Sequence, residues 1–317
     1  MKPTVIVSGA AGFLGSHLAE RLVRDGHRVV GIDNFSSGRR ENLRTLRRSP
    51  DFTLIRGDLT QPLALPRARA IYHLASPASP PRYLEIPVAT LEVNSFGTAQ
   101  LLAHARRCGA RFVLASTSEV YGDPEVHPQP ETYWGNVNPI GVRSCYDEGK
   151  RFSEALAMAW HRERQVDVRI ARIFNTYGPR MAPDDGRVVS NFLVAGWKGA
   201  PLRIYGTGKQ TRSFCFVDDL VEGLRRLGTS ESFVGPINLG NPLEEVTVGD
   251  LAEKVQKLTG GRSEIVRVEK AEDDPERRRP DISKAKEILG WTPQVPLAQG
   301  LASTSEYFRA LVAEGRA

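Results

Sequence analysis

The 317-residue sequence predicts an α/β fold, a doubly wound parallel sheet carrying a smaller C-terminal α/β lobe. Three observations lead there. Apolar, β-rich runs alternate with amphipathic stretches through the first half of the chain, the order that joins parallel strands through helical crossovers. Runs such as Val5-Ile6-Val7 and Phe112-Val113-Leu114-Ala115 are unbroken, as strands covered on both faces require. After Phe174 the pattern gives way to shorter units rich in Gly and Pro. That suits a lobe over the carboxyl ends of the strands, where open α/β sheets bind ligands.

Taken in order, strands are expected at 4–8, 28–32, 53–56, 70–74, 111–116 and 168–173, with amphipathic helices over 16–24, 90–108 and 147–164. The sheet domain spans 1–174 and takes in 214–241; the lobe comprises 175–213 and 242–317. A dense charge run at 273–280 is too short for a disordered tail.

Composition removes several classes of function. No run approaches the roughly 18 apolar residues that cross a membrane, and the start of the chain lacks an apolar leader. The three cysteines are scattered without a C-x-x-C, so neither a disulfide framework nor a metal site is expected, and a cytoplasmic setting is. The formal charge of +6 permits nucleic-acid binding, but the arginines are dispersed and no aromatic-basic interleaving accompanies them. A polyanionic small substrate explains the balance better than nucleic acid.

Gly9-Ala10-Ala11-Gly12-Phe13-Leu14-Gly15 follows the first strand directly and leads into a helix. Gly9 permits the tight turn, Gly12 lets a pyrophosphate approach the backbone, and Gly15 lets helix and strand pack closely. The helix N-terminus then offers free N–H groups and a positive dipole end, so the turn is expected to bind a dinucleotide on a Rossmann-type sheet. Asp33, closing the second strand, would accept the adenosine ribose hydroxyls and repel a 2′-phosphate, which favours NAD over NADP. Arg39 and Arg40 follow and would be the groups to meet such a phosphate. Further cofactor contacts are expected from Asn34, Phe35, Ser36, Gly38, Asp58 and Leu59, and from Leu74, Ala75 and Ser76 at the fourth strand end.

The segment Ser144-Cys145-Tyr146-Asp147-Glu148-Gly149-Lys150 carries the reactive pair. Tyr146 and Lys150, four residues apart, share one helix face, and the cation is expected to lower the phenol pKa and make it a usable base. Thr117 stands at a strand end. Glu119, read as two residues further along an extended strand, would point to the same face. A surface Tyr beside a surface Lys is the commoner meaning of this spacing, and the glycine turn is what lifts it above that.

With Gly9–Gly15, Asp33, Thr117, Tyr146 and Lys150 in hand, the chain resembles the extended short-chain dehydrogenase/reductase superfamily. Longer stretches narrow this: Ala115-Ser116-Thr117-Ser118-Glu119-Val120-Tyr121-Gly122, Arg172-Ile173-Phe174-Asn175-Thr176-Tyr177-Gly178-Pro179-Arg180, Asp185-Gly186-Arg187-Val188-Val189-Ser190-Asn191 and Gln210-Thr211-Arg212-Ser213-Phe214. They are similar to the UDP-glucuronate decarboxylases, or UDP-xylose synthases, across essentially the whole chain. The resemblance implies NAD, a Thr117–Tyr146–Lys150 trio and a homodimer through the helices near 90–108 and 144–164. It also implies a reaction in which UDP-glucuronate is oxidised at carbon 4, loses carbon dioxide and is reduced to UDP-xylose.

Glu119 and Arg212 carry over as the residues that distinguish this branch. Glu119 either orients the substrate or relays a proton; Arg212 either contacts the substrate phosphate or serves the carboxylate and enolate chemistry. Ser118 occupies the place where a 4,6-dehydratase is expected to carry an acid, and a hydroxyl is too weak for that task. Asn175, Arg187, Val188, Tyr205, Gln210, Arg212 and Arg278, with Ser118, are the candidates for holding the UDP-sugar, since Arg–phosphate pairing suits the diphosphate. The alternatives are a decarboxylase that releases the 4-keto-pentose with NADH, a UDP-sugar 4-epimerase, or a non-catalytic dinucleotide sensor.

Overall fold

The computed structural model describes residues 2–231, 233–269 and 276–317. Among them the frame is a sheet of seven parallel strands: β1 (Thr4–Ser8), β2 (Arg28–Asp33), β3 (Phe52–Arg56), β4 (Ala70–His73), β5 (Arg111–Thr117), β6 (Val168–Ile173) and β7 (Gly235–Leu239). Across the sheet they run β7-β6-β5-β4-β1-β2-β3, so the winding reverses between β1 and β4, with Ser8 opposite His73. That reversal opens a crevice beyond the strand ends. The six expected strands are present, each within one residue of its expected ends. β7 escaped the pattern because Pro236 interrupts it, and it lies at the sheet edge, where a missing N–H is tolerated.

Both faces of the sheet are covered. Val5, Val7, Val29, Tyr72 and Val113 turn to one core, while Ile6, Val30, Ile32, Ile71, Phe112 and Leu114 turn to the other. On the first face lie the helices Phe13–Arg24, through Leu18, Ala19 and Leu22, and Val217–Thr229, through Leu220, Leu224 and Leu227. On the second lie Thr98–Cys108 and Ser144–Arg164, through Leu101, Leu102, Ala105 and Ala157. Each such leucine contributes about 1.5–3 kcal/mol by leaving water.

Two local expectations change. The single helix read over 90–108 is divided into Pro87–Glu92, a wide π-type turn over Val93–Gly97, and Thr98–Cys108. Asn94 Nδ2 donates to the Thr90 carbonyl at 2.8 Å, and Ser95 Oγ donates to that of Leu91 at 2.8 Å. Side chains thus compete for carbonyls of the preceding turn, and Ser153 Oγ donates to the Asn94 carbonyl at 2.7 Å. The second change is that β5 stops at Thr117 and Ser118–Tyr121 forms a 3-10 turn, because Thr117 Oγ1 accepts from the Glu119 N–H at 3.2 Å. Glu119 is therefore not on an extended strand.

The lobe is built from short sheets. Thr211–Ser213 lies between Glu245–Thr247 and Arg277–Arg278, and Leu202–Tyr205 pairs with Ile265–Val268. Part of the charge run at 273–280, Arg277–Arg278, thus forms an outer strand of this small sheet, while residues 273–275 lie outside the described ones.

One polar tie fixes the helix Ser144–Arg164 on the sheet. Glu154 accepts from Arg172 of β6 at 2.8 and 3.0 Å and from Ser116 Oγ of β5 at 2.5 Å. Glu154→Leu leaves the Arg172 guanidinium half-desolvated and unmatched, so urea denaturation should show a loss of roughly 3 kcal/mol. The double variant with Arg172→Met should recover most of it; no recovery would mean the tie is not what holds this helix.

Candidate active site

The glycine turn has the form its sequence required. Gly9 sits at φ +71, and a Cβ on Gly15 would fall 1.9 Å from the Gly9 carbonyl, so only glycine lets the helix start this close to β1. The helix begins at Phe13 after Gly12, with no side-chain cap and no acidic residue in its first turn, leaving its N–H groups available to an anion. At the end of β2 the Asp33 carboxylate accepts from the N–H groups of Ala11 and Phe35, each at 2.8 Å. Burial raises its pKa while these two bonds oppose the rise.

Two adjoining cavities, of about 560 and 130 Å³, share Gly9, Gly12, Leu74 and Ser76 in their walls. The smaller takes Asp33, Asn34, Ser36, Gly38, Asp58, Leu59 and Ala75. The larger takes Phe13, Leu14, Gly15, Thr117, Ser118, Glu119, Tyr146 and Lys150, together with the lobe residues Asn175, Arg187, Val188, Tyr205, Gln210, Arg212 and Arg278. Of the expected site residues only Phe35 lines neither. Its ring packs on the core under the Arg40 guanidinium, 5.4 Å away, and its backbone N–H serves Asp33 instead.

Around Tyr146 the geometry differs in one respect from expectation. Thr117 is hydrogen-bonded to the phenol, and the Lys150 ammonium stands 5.9 Å from its ring centre. Yet the phenol pKa is raised, first by burial and then by the Glu119 charge, against the Thr117 bond. Lys150 does not reverse this. Its Nζ donates to the Ala115 carbonyl at 3.0 Å, and burial pulls its own pKa down to about 7. His73 at the end of β4 is held neutral, down to about 3, by burial and by Lys150. Its Nδ1 meets Ser8 Oγ at 2.8 Å.

Glu119 is the centre of a charge cluster. Arg143 Nη2 donates to it at 2.5 Å, and Arg278 Nη1 forms a second, shorter contact. Burial alone would raise the carboxyl pKa, but Arg278 and Arg143 outweigh it and hold the group at about 2. Arg278, expected among the groups holding the UDP-sugar, thus touches Glu119 directly, whereas Arg212 acts on it through its field. The two arginines stand side by side in register on the parallel strands Thr211–Ser213 and Arg277–Arg278. Asp147 is the counterpart: burial first and Glu119 second raise it to about 7, with Arg143 opposing.

On the lobe side, Arg187 is clamped by Asp185, with one contact at 2.8 Å, and lies 5.8 Å over the Phe13 ring, beside the glycine turn. Gln210 Nε2 donates to the carbonyl of the half-exposed Tyr205 at 2.7 Å. Asn175 has a buried Oδ1 without a hydrogen-bond partner. Sequence reasoning missed Arg143, Asp185 and Tyr83. Arg143 stands one helical turn before Tyr146, a spacing that would have found it; Tyr83 left no local signal.

The family model described as GDP-mannose 4,6 dehydratase matches residues 6–304. UDP-glucuronic acid decarboxylase 4 of Arabidopsis thaliana is 57% identical over 305 residues, 96% of this chain and 68% of that protein. UDP-glucuronic acid decarboxylase 1 of Xenopus tropicalis is 52% identical over 96% of this chain and 72% of its own length. Among solved structures, UDP-glucuronic acid 4-epimerase from Bacillus cereus, in complex with UDP-glucuronic acid and NAD, superposes with a TM-score of 0.88 at 28% identity. That match covers 97% of this chain and 99% of the epimerase.

The Lys150 shift has a measurable sign. The unfolded chain holds this proton up to about pH 10.5 and the folded chain only to about 7, so burial costs stability in full below pH 7 and less as the pH climbs toward 10.5. The stability of the parent relative to Lys150→Met should therefore rise between pH 7 and pH 10. A flat difference in denaturation free energy across that window would show that Lys150 titrates normally.

Proposed function

The chain belongs to the UDP-glucuronic acid decarboxylases of the extended short-chain dehydrogenase/reductase superfamily, and from that premise we propose that it converts UDP-glucuronate to UDP-xylose with retained NAD. The observation that carries the reading is the meeting, in one cavity, of Thr117, Tyr146 and Lys150 with Glu119 and its arginines. Arg143, Arg212 and Arg278 outnumber the one fully charged carboxylate among them, which suits a sugar that carries its own carboxylate and diphosphate.

The residues fit NAD. Phe13 and Leu14 would turn N–H groups to the pyrophosphate, Asp33 would hold the ribose, and the wall around Leu74, Ser76 and Lys150 would take the nicotinamide end. When bound, NAD supplies the acceptor for hydride from carbon 4 and later its donor. Tyr146 would remove the proton from the 4-hydroxyl as carbon 4 gives up its hydride to that acceptor, which leaves a ketone β to the carboxylate. Loss of carbon dioxide places negative charge on the former ketone oxygen, where the hydroxyls of Tyr146 and Thr117 hydrogen-bond it. Glu119, fixed as an anion between two arginines, orients these groups more readily than it relays a proton. The division into a cofactor domain (1–174 with 214–241) and a substrate lobe (175–213 with 242–317) matches this sharing of roles.

A homodimer through the helices near 90–108 and 144–164 is supported by Val88, Leu91, Phe96 and Phe152, which leave an apolar surface exposed on those segments. Sedimentation at micromolar concentration should give the dimer, and Phe96→Glu should shift it to monomer; a parent that sediments as a monomer removes this part. No helix among the described residues is long and apolar enough to cross a membrane. The free cysteines fit a cytoplasmic setting.

The reaction is tested by incubation with UDP-glucuronate in deuterium oxide, followed by mass analysis. UDP-xylose should form with one deuterium at carbon 5 and none at carbon 4, and NADP should not replace NAD. A 4-keto product with stoichiometric NADH would move the assignment to a releasing decarboxylase. Intact UDP-glucuronate, with UDP-glucose epimerised in a parallel incubation, would overturn it.

A further inference from the structure

The geometry points to Tyr83 as a positioning residue for Tyr146, an assignment that rests on Tyr146 being the base proposed above. Tyr83 lies in the short helix Pro80–Glu85, is 1% exposed, and belongs to none of the motifs in the sequence. Its ring is parallel to that of Tyr146, with centres 5.0 Å apart and an angle of 3° between planes. Thr117 holds the Tyr146 hydroxyl, and the stacked ring covers a face of the phenol. With these two contacts the phenol has little room to tilt, and water is kept from the covered face.

The segment that carries Tyr83 is itself pinned from two sides. Cys145, next to Tyr146, directs its thiol to the Tyr83 carbonyl at 3.6 Å. Arg82 donates to Asp184 at 2.7 Å, and a Cβ on Gly186 would fall 2.3 Å from Pro81 Cγ, so the 80–85 helix rests against the loop leading to Arg187. Tyr83 thus closes the wall between the helix of the base and the lobe. Proton transfer from a sugar hydroxyl requires the phenol oxygen within about 3 Å, and a displacement of about 1 Å costs on the order of 10²-fold in rate. Burial also dominates the ionisation of Tyr146, so whatever keeps water from its ring sets the pH at which it becomes a base.

The assignment is to the ring and not to the hydroxyl. The Tyr83 oxygen is buried without a hydrogen-bond partner, an arrangement that lowers stability. Phenylalanine would keep the stack and remove that cost.

Steady-state kinetics of Y83L and Y83F with UDP-glucuronate over a range of pH test this. In Y83L, kcat should fall by about 10–100-fold with KM within about threefold. The acid limb of its kcat profile should move to lower pH, because water reaching Tyr146 eases its ionisation. Y83F should restore kcat to within about threefold of the parent and melt no lower than it. Should Y83L melt below the assay temperature, Y83M carries the same comparison. Parental kcat and pH profile in the leucine or methionine variant would overturn the proposal, as would Y83F being as slow as Y83L. Tyr146→Phe separates this from the larger reading: it should lower turnover by a factor of order 10²–10⁴. Near-parental turnover there fails the assignment of the base, whereas a slow Tyr146→Phe beside a normal Y83L fails the Tyr83 assignment alone.

Discussion

The carboxylate of Glu119, gripped by Arg143 from the start of the helix Ser144–Arg164 and by Arg278 from the lobe, is the interaction on which the site depends. It joins three parts of the chain at one point: the end of β5, the helix Ser144–Arg164 and the short strand Arg277–Arg278. The cost of burying each charge is offset only while all three are in place, since a lone carboxylate or guanidinium here would face most of its desolvation unmatched. The lobe is thereby set over the sheet at a fixed distance from Tyr146. The same charge also raises the pKa of both Tyr146 and Asp147.

This explains why the tyrosine is not a ready phenolate in the protein alone. A lysine four residues along a helix favours a neighbouring phenolate when both are wet. Here both are buried, and desolvation acts on the two in opposite directions, raising the phenol and lowering the ammonium. Lys150 is moreover turned to the Ala115 carbonyl of β5. The pair is thus held largely out of water at the wall of the cavity, and its chemistry is governed by whatever charges enter there.

The sheet contributes precision by being covered on both faces. β1, β4 and β5 bring Ser8, His73 and Thr117 to one edge of the crevice, and the tie from Glu154 to Arg172 holds the helix that carries Tyr146 against β5 and β6. Groups fixed to strands and a packed helix hold angstrom-level geometry better than groups on loops. The lobe supplies side chains from short strands, where arginines can reach across the crevice.

Local pattern in the sequence was enough for the six strands from β1 to β6, the glycine turn, Asp33, and the Tyr146–Lys150 spacing. Each of these is fixed by residues close together in the chain: apolar alternation, a turn that only Gly9 and Gly15 permit, a four-residue helical period. What it did not hold were matters settled between distant segments. The π-type turn at Val93–Gly97 depends on Ser153, the contact of Glu119 with Arg278 joins residues far apart in the chain, and the stacking of Tyr83 on Tyr146 joins separate helices. The direction of the Tyr146 pKa belongs to the same group. Spacing names which groups are neighbours, but only the packed structure decides how much water they lose, and in this site burial outweighs the neighbouring cation.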